Sequence, residues 1–214
     1  MAEEIRILGR SRVGVDDHPL ELNQNNELLV AQGFPRYTEM SRRGNAYSAI
    51  ATTAVAGLVI RPDATAAVTL WNGEAAGSKK CYIIDRVFTH CLVATNAEGR
   101  FLIWACLHPT GMTKPTTAPI AAGATQKVGP YGKTYNGVSV FDIGATVVDN
   151  GWFPLGYSTS HVVGALPGSG ISVDVAGRLI IPPTGAISLH VVTSTNTATF
   201  CTGISWWEEE ITLG

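Results

Sequence analysis

The segment Phe200–Ile211 constrains the fold of this chain more than any other, because it predicts a β-strand that is apolar on both faces. Side chains alternate across a strand, so the neighbouring residues Trp206 and Trp207 point in opposite directions. A sheet with one buried face covers only one of these indoles. We therefore expect something beyond the domain's own core to cover the other, as in a subunit of an assembly.

A second segment, Phe101–Leu107, shows the same property. Phe101 and Ile103 face one side of the predicted strand, whereas Trp104 and Cys106 face the other. A strand with two apolar faces lies between layers or is sealed by a neighbouring subunit. Both readings stay open at this stage.

Charge is scarce and unevenly distributed along the chain. Asp, Glu, Lys and Arg make up 15% of the 214 residues, against about 25% in an ordinary soluble domain. Residues 1–47 hold 13 of the 32 charged residues, which leaves 19 for the following 167. A body with so little charge tends to associate, so we expect a surface that partners cover.

Several classes of function are disfavoured by what the sequence lacks. No basic stripe is present, which argues against nucleic-acid binding. The longest aliphatic runs, such as Ala54–Ile60, are far shorter than a membrane helix. The N-terminus does not resemble a secretory signal, so we expect synthesis in the cytoplasm. The cysteines show no metal-binding spacing and are expected to be buried and unpaired; they are Cys81, Cys91, Cys106 and Cys201.

The pattern predicts an all-β protein: a two-sheet sandwich of jelly-roll type preceded by an extended N-terminal arm. We place the arm at residues 1–47, with a helical turn at Arg36–Arg43, and the sandwich body at residues 48–214. An immunoglobulin-like sandwich is the nearest competitor, but the body is too long for it. The predicted strands are 52–60, 64–71, 80–95, 99–108, 118–122, 137–142, 145–149, 160–165, 171–175, 178–182, 186–194 and 198–209.

Three connections are predicted from their residue types. Asn72-Gly73 matches a two-residue hairpin turn, because both positions tolerate positive φ. Ala97-Glu98-Gly99 is expected to join 80–95 and 99–108 into one long hairpin, which would bring His90 towards His108. Pro182-Pro183-Thr184-Gly185 must leave the ladder and marks a turn at the sheet rim.

No catalytic, cofactor-binding or metal-binding constellation emerges from the sequence. The histidines lack metal-ligand spacing, and the cluster Ser158–His161 lacks the glycine and the helix of a nucleophile elbow. The run Glu208–Glu210 is interpreted as a solvated end of the final strand that blocks aggregation. We expect no enzyme and no cofactor. Trp71 and Trp152, beside Asn-Gly turns, leave a carbohydrate-binding module as an alternative.

The order of features resembles a group of virion-associated proteins of tailed bacteriophages with jelly-roll bodies, among which capsid cement or decoration proteins occur. The segments that carry the resemblance span most of the chain; they are Phe34–Glu39, Arg43–Tyr47, Leu70–Asn72, Tyr82–Val87, Val173–Pro183 and Gly203–Glu209. The resemblance implies a homotrimer seated on the major capsid protein, bound through its arm and edge strands. It transfers no functional residue.

Together, these observations lead us to expect a non-enzymatic virion structural protein that stabilises a phage capsid from its surface. A receptor- or carbohydrate-binding module of a phage tail or fibre is the alternative. The residues expected to contact other subunits or the capsid are Phe34, Arg36, Tyr37, Arg42, Arg43, Trp104, Trp206 and Trp207.

Overall fold

The computed structural model describes part of the chain, namely residues 8–10, 17–19, 38–93, 100–109, 125–127, 137–157 and 169–211. For residues 8–10, 17–19, 38–39 and 125–127 it describes the backbone alone. The chain divides into two compact units, residues 1–38 and 39–214. In the first unit, strands β1 (Leu8–Arg10) and β2 (Asp17–Pro19) pair antiparallel.

One short helix and eleven further strands make up the rest of the described structure. The helix α1 (Thr38–Arg43) confirms the C-terminal part of the helical turn predicted at Arg36–Arg43. The strands are β3 (Ala46–Ile50), β4 (Val55–Ala56), β5 (Val68–Trp71), β6 (Lys80–Val93), β7 (Phe101–His108), β8 (Thr125–Lys127), β9 (Val140–Ile143), β10 (Phe153–Tyr157), β11 (Gly170–Ile181), β12 (Ala186–Thr193) and β13 (Thr199–Glu210).

The strands of the second unit form two antiparallel sheets. The first sheet has the order β10-β7-β12-β5-β9, and the second sheet has the order β11-β6-β13-β3-β8. Four pairings join early strands to late ones: β3 to β13, β5 to β12, β6 to β11 and β7 to β10. In this set the first strand pairs with the last, the second with the second-last, and so on inwards. The pairs β3–β13 and β6–β11 lie in the second sheet, and the pairs β5–β12 and β7–β10 lie in the first sheet. This is the jelly-roll topology, and it confirms the predicted fold class.

The core lies between the inward faces of the two sheets. Trp206 is 1% exposed and packs against Tyr47 and Tyr82, with ring centroids 5.8 and 6.2 Å away. Phe101 of the first sheet meets Phe200 of the second sheet at 5.0 Å. Burial of a large apolar side chain contributes about 1.5–3 kcal/mol. Trp206, Tyr47 and Tyr82 all belong to the second sheet, whereas the contact between Phe101 and Phe200 joins the two sheets.

The long hairpin predicted across residues 97–99 is wrong. Strand β6 pairs with β11 and β13 in the second sheet, whereas β7 pairs with β10 and β12 in the first sheet. The connection therefore crosses between sheets, and His90 and His108 lie on different sheets. Strands β6 and β7 cannot pair with each other, because each already has a strand from a later part of the chain on both of its sides. These partners are β11 and β13 for β6, and β10 and β12 for β7.

Asn72 does not form the predicted hairpin turn either. Its side chain is buried and donates hydrogen bonds to the carbonyl oxygens of Lys80 and Ile181, at 3.0 and 3.1 Å. The residue ties the connection from β5 to β6 onto the end of β11. The turn predicted at residues 182–185 is confirmed, because it joins β11 to β12 and closes through a bond from Gly185 N to Pro182 O.

Several element boundaries differ from the sequence predictions. Strand β3 begins at Ala46, so the sandwich starts before residue 48, and the compact unit that contains it starts at Glu39. Residues 145–149 form a loop with a single bridge at Thr146, whereas β10 was not predicted. The predicted strands 118–122 and 160–165 and the cluster Ser158–His161 lie outside the described residues.

On three of the outer strands, as far as the structure describes them, single backbone groups are bonded to a side chain or missing. On β11, Arg178 folds back and donates to the carbonyl oxygens of Val175 and Asp174, both at 3.0 Å. On β9, the amide of Ile143 donates to the carboxylate of Asp142 at 2.8 Å. On β10, Pro154 offers no N–H group. Unpaired edge groups invite strand addition, so each of these features makes it less favourable at that position.

Glu208 contradicts the interpretation of Glu208–Glu210 as a solvated strand end. It is 3% exposed, and its Oε2 lies 2.7 Å from Lys80 Nζ, which also pairs with Glu74 at 2.7 Å. Trp206 Nε1 donates to Glu208 Oε1 at 3.4 Å. Although burial opposes it, the hydrogen bonds to the two carboxylates raise the pKa of Lys80. The carboxylate of Glu208 is therefore buried at the end of the core, between Trp206 and Lys80, and is not solvated.

Replacing Lys80 with methionine should leave the carboxylate of Glu208 buried without its cation. A buried charge that loses its partner destabilises a protein strongly; because Lys80 is partly exposed, we expect a loss of about 2 kcal/mol in the free energy of unfolding, measured by urea denaturation. Lys79→Met removes the same charge from an exposed neighbouring residue and serves as the control. Equal stability of the two variants would contradict the structural role of the pair.

Candidate functional site

The residues predicted from sequence to make contacts do not form one surface. Phe34, Arg36 and Tyr37 lie outside the described residues. Arg42 and Arg43 are in α1, and Arg43 Nη1 lies 3.9 Å from Glu209 Oε1 at the end of β13. Trp206 belongs to the core, which removes its side chain from the surface. Trp104 and Trp207, both partly exposed, lie on the outer faces of different sheets.

The chain itself covers part of Trp207. Gly177, in a bulge of β11 at φ +79°, lies so close that a Cβ atom there would be 3.5 Å from the indole and 3.2 Å from Ile83. The positive φ favours glycine, and a Cβ atom there would have to displace Ile83 by a few tenths of an ångström. The opposite orientations expected for the two tryptophans are confirmed, with Trp206 inward and Trp207 outward.

The outer face of β7 is covered by the loop that follows β9. Ala145, Val147 and Trp152 of this loop form a second small core with Ala66 and Cys106, and Trp104 packs against it. Of the two readings that the sequence left open, a covering layer therefore holds for Cys106, and that layer comes from this chain. All four cysteines are buried and none forms a disulfide, as expected.

Trp152 anchors this loop. It is 5% exposed, and its Nε1 donates to the carbonyl oxygen of Asp63 at 2.8 Å. A ring in this position has no face to offer a sugar, so Trp152 gives no support to a carbohydrate site. Trp71 is partly exposed on the outer face of the first sheet, and its buried Nε1 has no hydrogen-bond partner among the described residues.

A buried hydrogen-bond network lies beneath the same loop. Ser188 Oγ is 2.8 Å from Thr69 Oγ1 and 2.7 Å from His108 Nε2. The other ring nitrogen of His108, Nδ1, is 3.1 Å from Asn150 Nδ2. An amide nitrogen donates, so Nδ1 accepts and the neutral imidazole carries its hydrogen on Nε2. The network thus joins β5, β12 and β7 to the loop that follows β9.

The spacing of Ser188, His108 and Asn150 resembles that of a nucleophile, its base and an orienting amide. Ser188 is, however, completely buried and also bonds Thr69, so no substrate reaches its hydroxyl. Burial lowers the pKa of His108, and burial likewise lowers that of His190 on the neighbouring strand. The network therefore has a structural role. It contains a neutral His108 and attaches the loop that follows β9 to the strands beneath it.

No group of three or more His, Cys, Asp or Glu side chains capable of holding a metal ion occurs among the residues that the structure describes. A pocket of about 570 Å³ at the β10 and β11 edges is lined mainly by apolar residues, and its lining in the described part of the chain includes two ionisable residues, Asp174 and Tyr157. In that part, no helix is long and apolar enough to span a membrane.

Three exposed aliphatic residues, Val59, Ile60 and Val148, form what we call the aliphatic surface. They are 56%, 70% and 70% exposed. They lie in two loop segments that meet at residues 64–66 and 145–147, through backbone hydrogen bonds from Ala66 N to Ala145 O and from Val147 N to Ala64 O. The surface lies in the loops that cover the outer face of the first sheet.

The ion pair of Arg61 and Asp149 fixes the aliphatic surface. Its two hydrogen bonds measure 2.6 and 3.0 Å, and it joins the residues that follow Ile60 and Val148 in the chain. Asp149 also accepts from the backbone N–H groups of Gly151 and Trp152. The pKa of Asp149 is lowered to about 2, chiefly by the hydrogen bond from Arg61. The carboxylate therefore stays ionised in mildly acidic solution.

Sequence reasoning missed most of this arrangement. Arg61 and Ser188 received no role, Asn150 was read only as part of a turn, and Asp149 was read only as a turn residue that makes local hydrogen bonds. The ion pair joins residues 88 positions apart and the pair Thr69–Ser188 spans 119. Only the isolated arginine in an otherwise uncharged stretch, Ala51–Pro62, could have drawn attention to Arg61.

Comparison with known proteins does not place the chain in a family. No protein-family model matches it, and no curated protein matches it. Among solved structures, the crystal structure of the Israel acute paralysis virus pentamer aligns over 100% of this chain and 89% of that one, with 14% identity and a TM-score of 0.24. The full particle of the same virus heated to 63 degrees gives 14% identity and a TM-score of 0.23, over 99% and 88% of the two chains.

TM-scores of this size establish neither a shared fold nor a shared function. The class of this protein follows from its own strand pairings, which define an antiparallel jelly-roll sandwich. Its function has to be argued from its own surfaces.

The buried histidines make stability sensitive to acid. Because the folded-state pKa of His108 lies below the ordinary value of about 6.5, stability is complete above that pH and is lost as the pH falls towards the folded pKa. Each unit of lowering costs about 1.4 kcal/mol. Urea denaturation between pH 7.5 and 5 should show this loss, and His108→Gln, which does not titrate, should reduce it. His190 accounts for a remaining part.

Ser188→Ala is the matched control, because it breaks the same network and leaves the imidazole in place. It should lower stability by about 1 kcal/mol at neutral pH and retain the acid-dependent loss. An identical pH dependence in the wild type and in His108→Gln would rule out His108 as the titrating group.

Proposed function

We propose that this chain is a non-enzymatic structural protein of a virus particle, of the cement or decoration type. In this proposal it is made in the host cytoplasm, self-associates as a homotrimer and binds the major capsid protein at the capsid surface. The observation that carries the proposal is the aliphatic surface, because a fixed, strongly exposed group of valine and isoleucine side chains serves association and has no catalytic use.

The blocked sheet edges support association through loops and faces. Strand addition needs unpaired backbone groups, and Arg178, Asp142 and Pro154 remove or cover such groups on β11, β9 and β10. The resemblance implied contacts through edge strands; the described edges favour the covering loops instead. Docking there leaves the hydrogen bonds of both sheets intact.

The low charge of the body supports a role in assembly. A surface with few charges costs little to desolvate when a partner covers it. The hydroxyl and imidazole groups of Ser188 and His108 lie under the loop that follows β9, and this supports a protein without hydrolytic chemistry. Burial of Trp152 weakens the alternative of a carbohydrate-binding tail module.

The N-terminal region supplies the proposed contact with the capsid. Residues 1–38 are a compact unit of their own, and the adjoining helix α1 carries Arg42 and Arg43. In the proposal, Phe34, Arg36 and Tyr37 bind the major capsid protein, and the jelly-roll body joins neighbouring copies. Contacts that exist only in the assembled shell stabilise it by mass action.

Particles from cells that produce this chain should contain it in a fixed ratio to the major capsid protein. Density-gradient purification followed by quantitative mass spectrometry measures that ratio. A chain that stays at the top of the gradient while the capsid protein sediments would overturn the proposal.

Deletion of residues 1–37 should abolish rebinding to particles that lack the chain and leave the body folded, because it spares α1 and every strand of the two sheets. Cosedimentation measures binding, and thermal unfolding of the free protein confirms the fold. The control is the full-length chain under the same conditions. Normal occupancy by the truncated protein would reject the role of the N-terminal region.

A further inference from the structure

The loop that follows β9 is attached to β7 and to a neighbouring loop by contacts that differ in their response to acid. We propose that protonation of His108 detaches this loop, residues 144–152, from β7. Detachment uncovers Cys106 and Trp104, while the loop remains bound to the neighbouring loop, residues 61–67. This local opening goes beyond the proposed function and does not depend on self-association.

Asn150 attaches the loop to β7 in two ways. Its side-chain Nδ2 donates to His108 Nδ1 at 3.1 Å, and its backbone N–H donates to the sulfur of Cys106. The first bond requires a neutral imidazole, because a protonated ring carries hydrogen on both nitrogens and accepts no bond. His108 Nε2 is already engaged with Ser188 at 2.7 Å. The ring therefore cannot turn away from Asn150 without breaking a second hydrogen bond.

The contacts with the neighbouring loop do not change in mild acid. The backbone hydrogen bonds that join residues 64–66 to residues 145–147 have no titrating group. The bidentate ion pair of Arg61 and Asp149 stays charged, because the hydrogen bond from Arg61 is the chief cause that lowers the pKa of Asp149 to about 2. A fall in pH thus releases one side of the loop and leaves the other side bound.

Burial makes the closed loop resist the proton. His108 is 4% exposed, and burial lowers its pKa. The ionisable residues on the strands and loops packed around it are Arg61, Asp63, Cys106, Asp142, Asp149 and His190. None of them counters the effect of burial. When the loop lifts, the imidazole is solvated and its pKa returns towards the ordinary value of about 6.5. The open form therefore binds the proton more tightly, and acid favours it.

A pocket of about 420 Å³ brings water to the edge of the contact between His108 and Asn150, which both line it. Its other walls include Leu107, Ile180 and Pro182, and none of its described lining residues is Asp, Glu, Lys or Arg. An imidazolium formed there meets no counter-ion. Turning over the amide of Asn150 would supply an acceptor but would leave the charge buried, which is costly. Lifting the loop instead exposes the charge to water.

The opening changes the environment of one thiol. Cys106 is completely buried beneath Val147 and Trp152, and Trp104 packs against the same small core. Burial also raises the pKa of Cys106, which keeps its thiol unreactive while the loop is closed. The reactivity of Cys106 therefore reports whether the loop is attached to β7.

Thiol labelling of the full-length chain measures the opening. Dithiodipyridine reacts with thiols in acid as well as at neutral pH, and peptide mass spectrometry assigns the label to each cysteine. Each rate is divided by that of free cysteine at the same pH. Because opening takes up one proton, we expect the corrected rate for Cys106 to rise at least about tenfold between pH 7.5 and 5. Cys81, Cys91 and Cys201, which lie in the second sheet, should stay protected.

Two variants test the cause of the opening. In His108→Gln the side chain does not titrate, so labelling of Cys106 should be independent of pH. Asn150→Ala removes the side-chain contact and should speed labelling of Cys106 at neutral pH by about tenfold, the effect of losing one hydrogen bond. The control is His190→Gln, which removes another buried histidine, whose Nδ1 accepts from the backbone of Val191; it should behave as the wild type. Thermal unfolding shows that each variant folds.

The wild type alone is enough to overturn the proposal. Labelling of Cys106 that does not respond to pH, or that accelerates together with the other three cysteines, would exclude a local opening. Labelling that accelerates equally in folded His108→Gln would assign the opening to another group. Slow labelling of folded Asn150→Ala at neutral pH would show that its amide does not hold the loop.

Discussion

Strand β13 hydrogen-bonds to β6 along its whole length and to β3 over Gly203–Trp207, and the rest of the sandwich takes its position from these two pairings. They fix which face of β13 is inward and so place Trp206 between Tyr47 and Tyr82. They also carry Glu208 to the end of the core, where Lys80, its close neighbour on β6, neutralises it. A shift of one residue would exchange Trp206 for Trp207 and Glu208 for Glu209.

Strand alternation predicted much of this fold, and the chemistry of turns predicted less of it. The orientations of the two tryptophans, the bounds of β6, β12 and β13 to within a few residues, and the turn at Pro182–Gly185 all followed from local pattern. The assignment of strands to sheets did not, since Asn72-Gly73 and Ala97–Gly99 have the residues of hairpin turns and yet their flanking strands lie in different sheets. Turn propensity is local, whereas the pairing of first with last strand is decided by burial across the whole body.

The role in assembly that we inferred from the sequence depended on what covers the apolar outer sides of β7 and β13. Sequence alone allowed either a neighbouring copy or another layer of the same chain over β7, and the loop that carries Trp152 proves to be that layer. The apolar character of a strand therefore does not locate an interface. Val59, Ile60 and Val148, which are among the exposed hydrophobic residues, lie in the covering loops. The sequence placed them in the predicted strands 52–60 and 145–149, and strand pattern alone did not show that they would stay exposed.

The central position of β13 has a consequence for how the molecule is made. Thr89 and Thr202, paired on β6 and β13, are 113 residues apart, so β6 leaves the ribosome long before its neighbour exists. Until then its apolar flank has no partner, and folding waits for the C-terminal strand. Such distant pairing slows folding, and the apolar strands that precede β13 are exposed for longer before the sandwich closes.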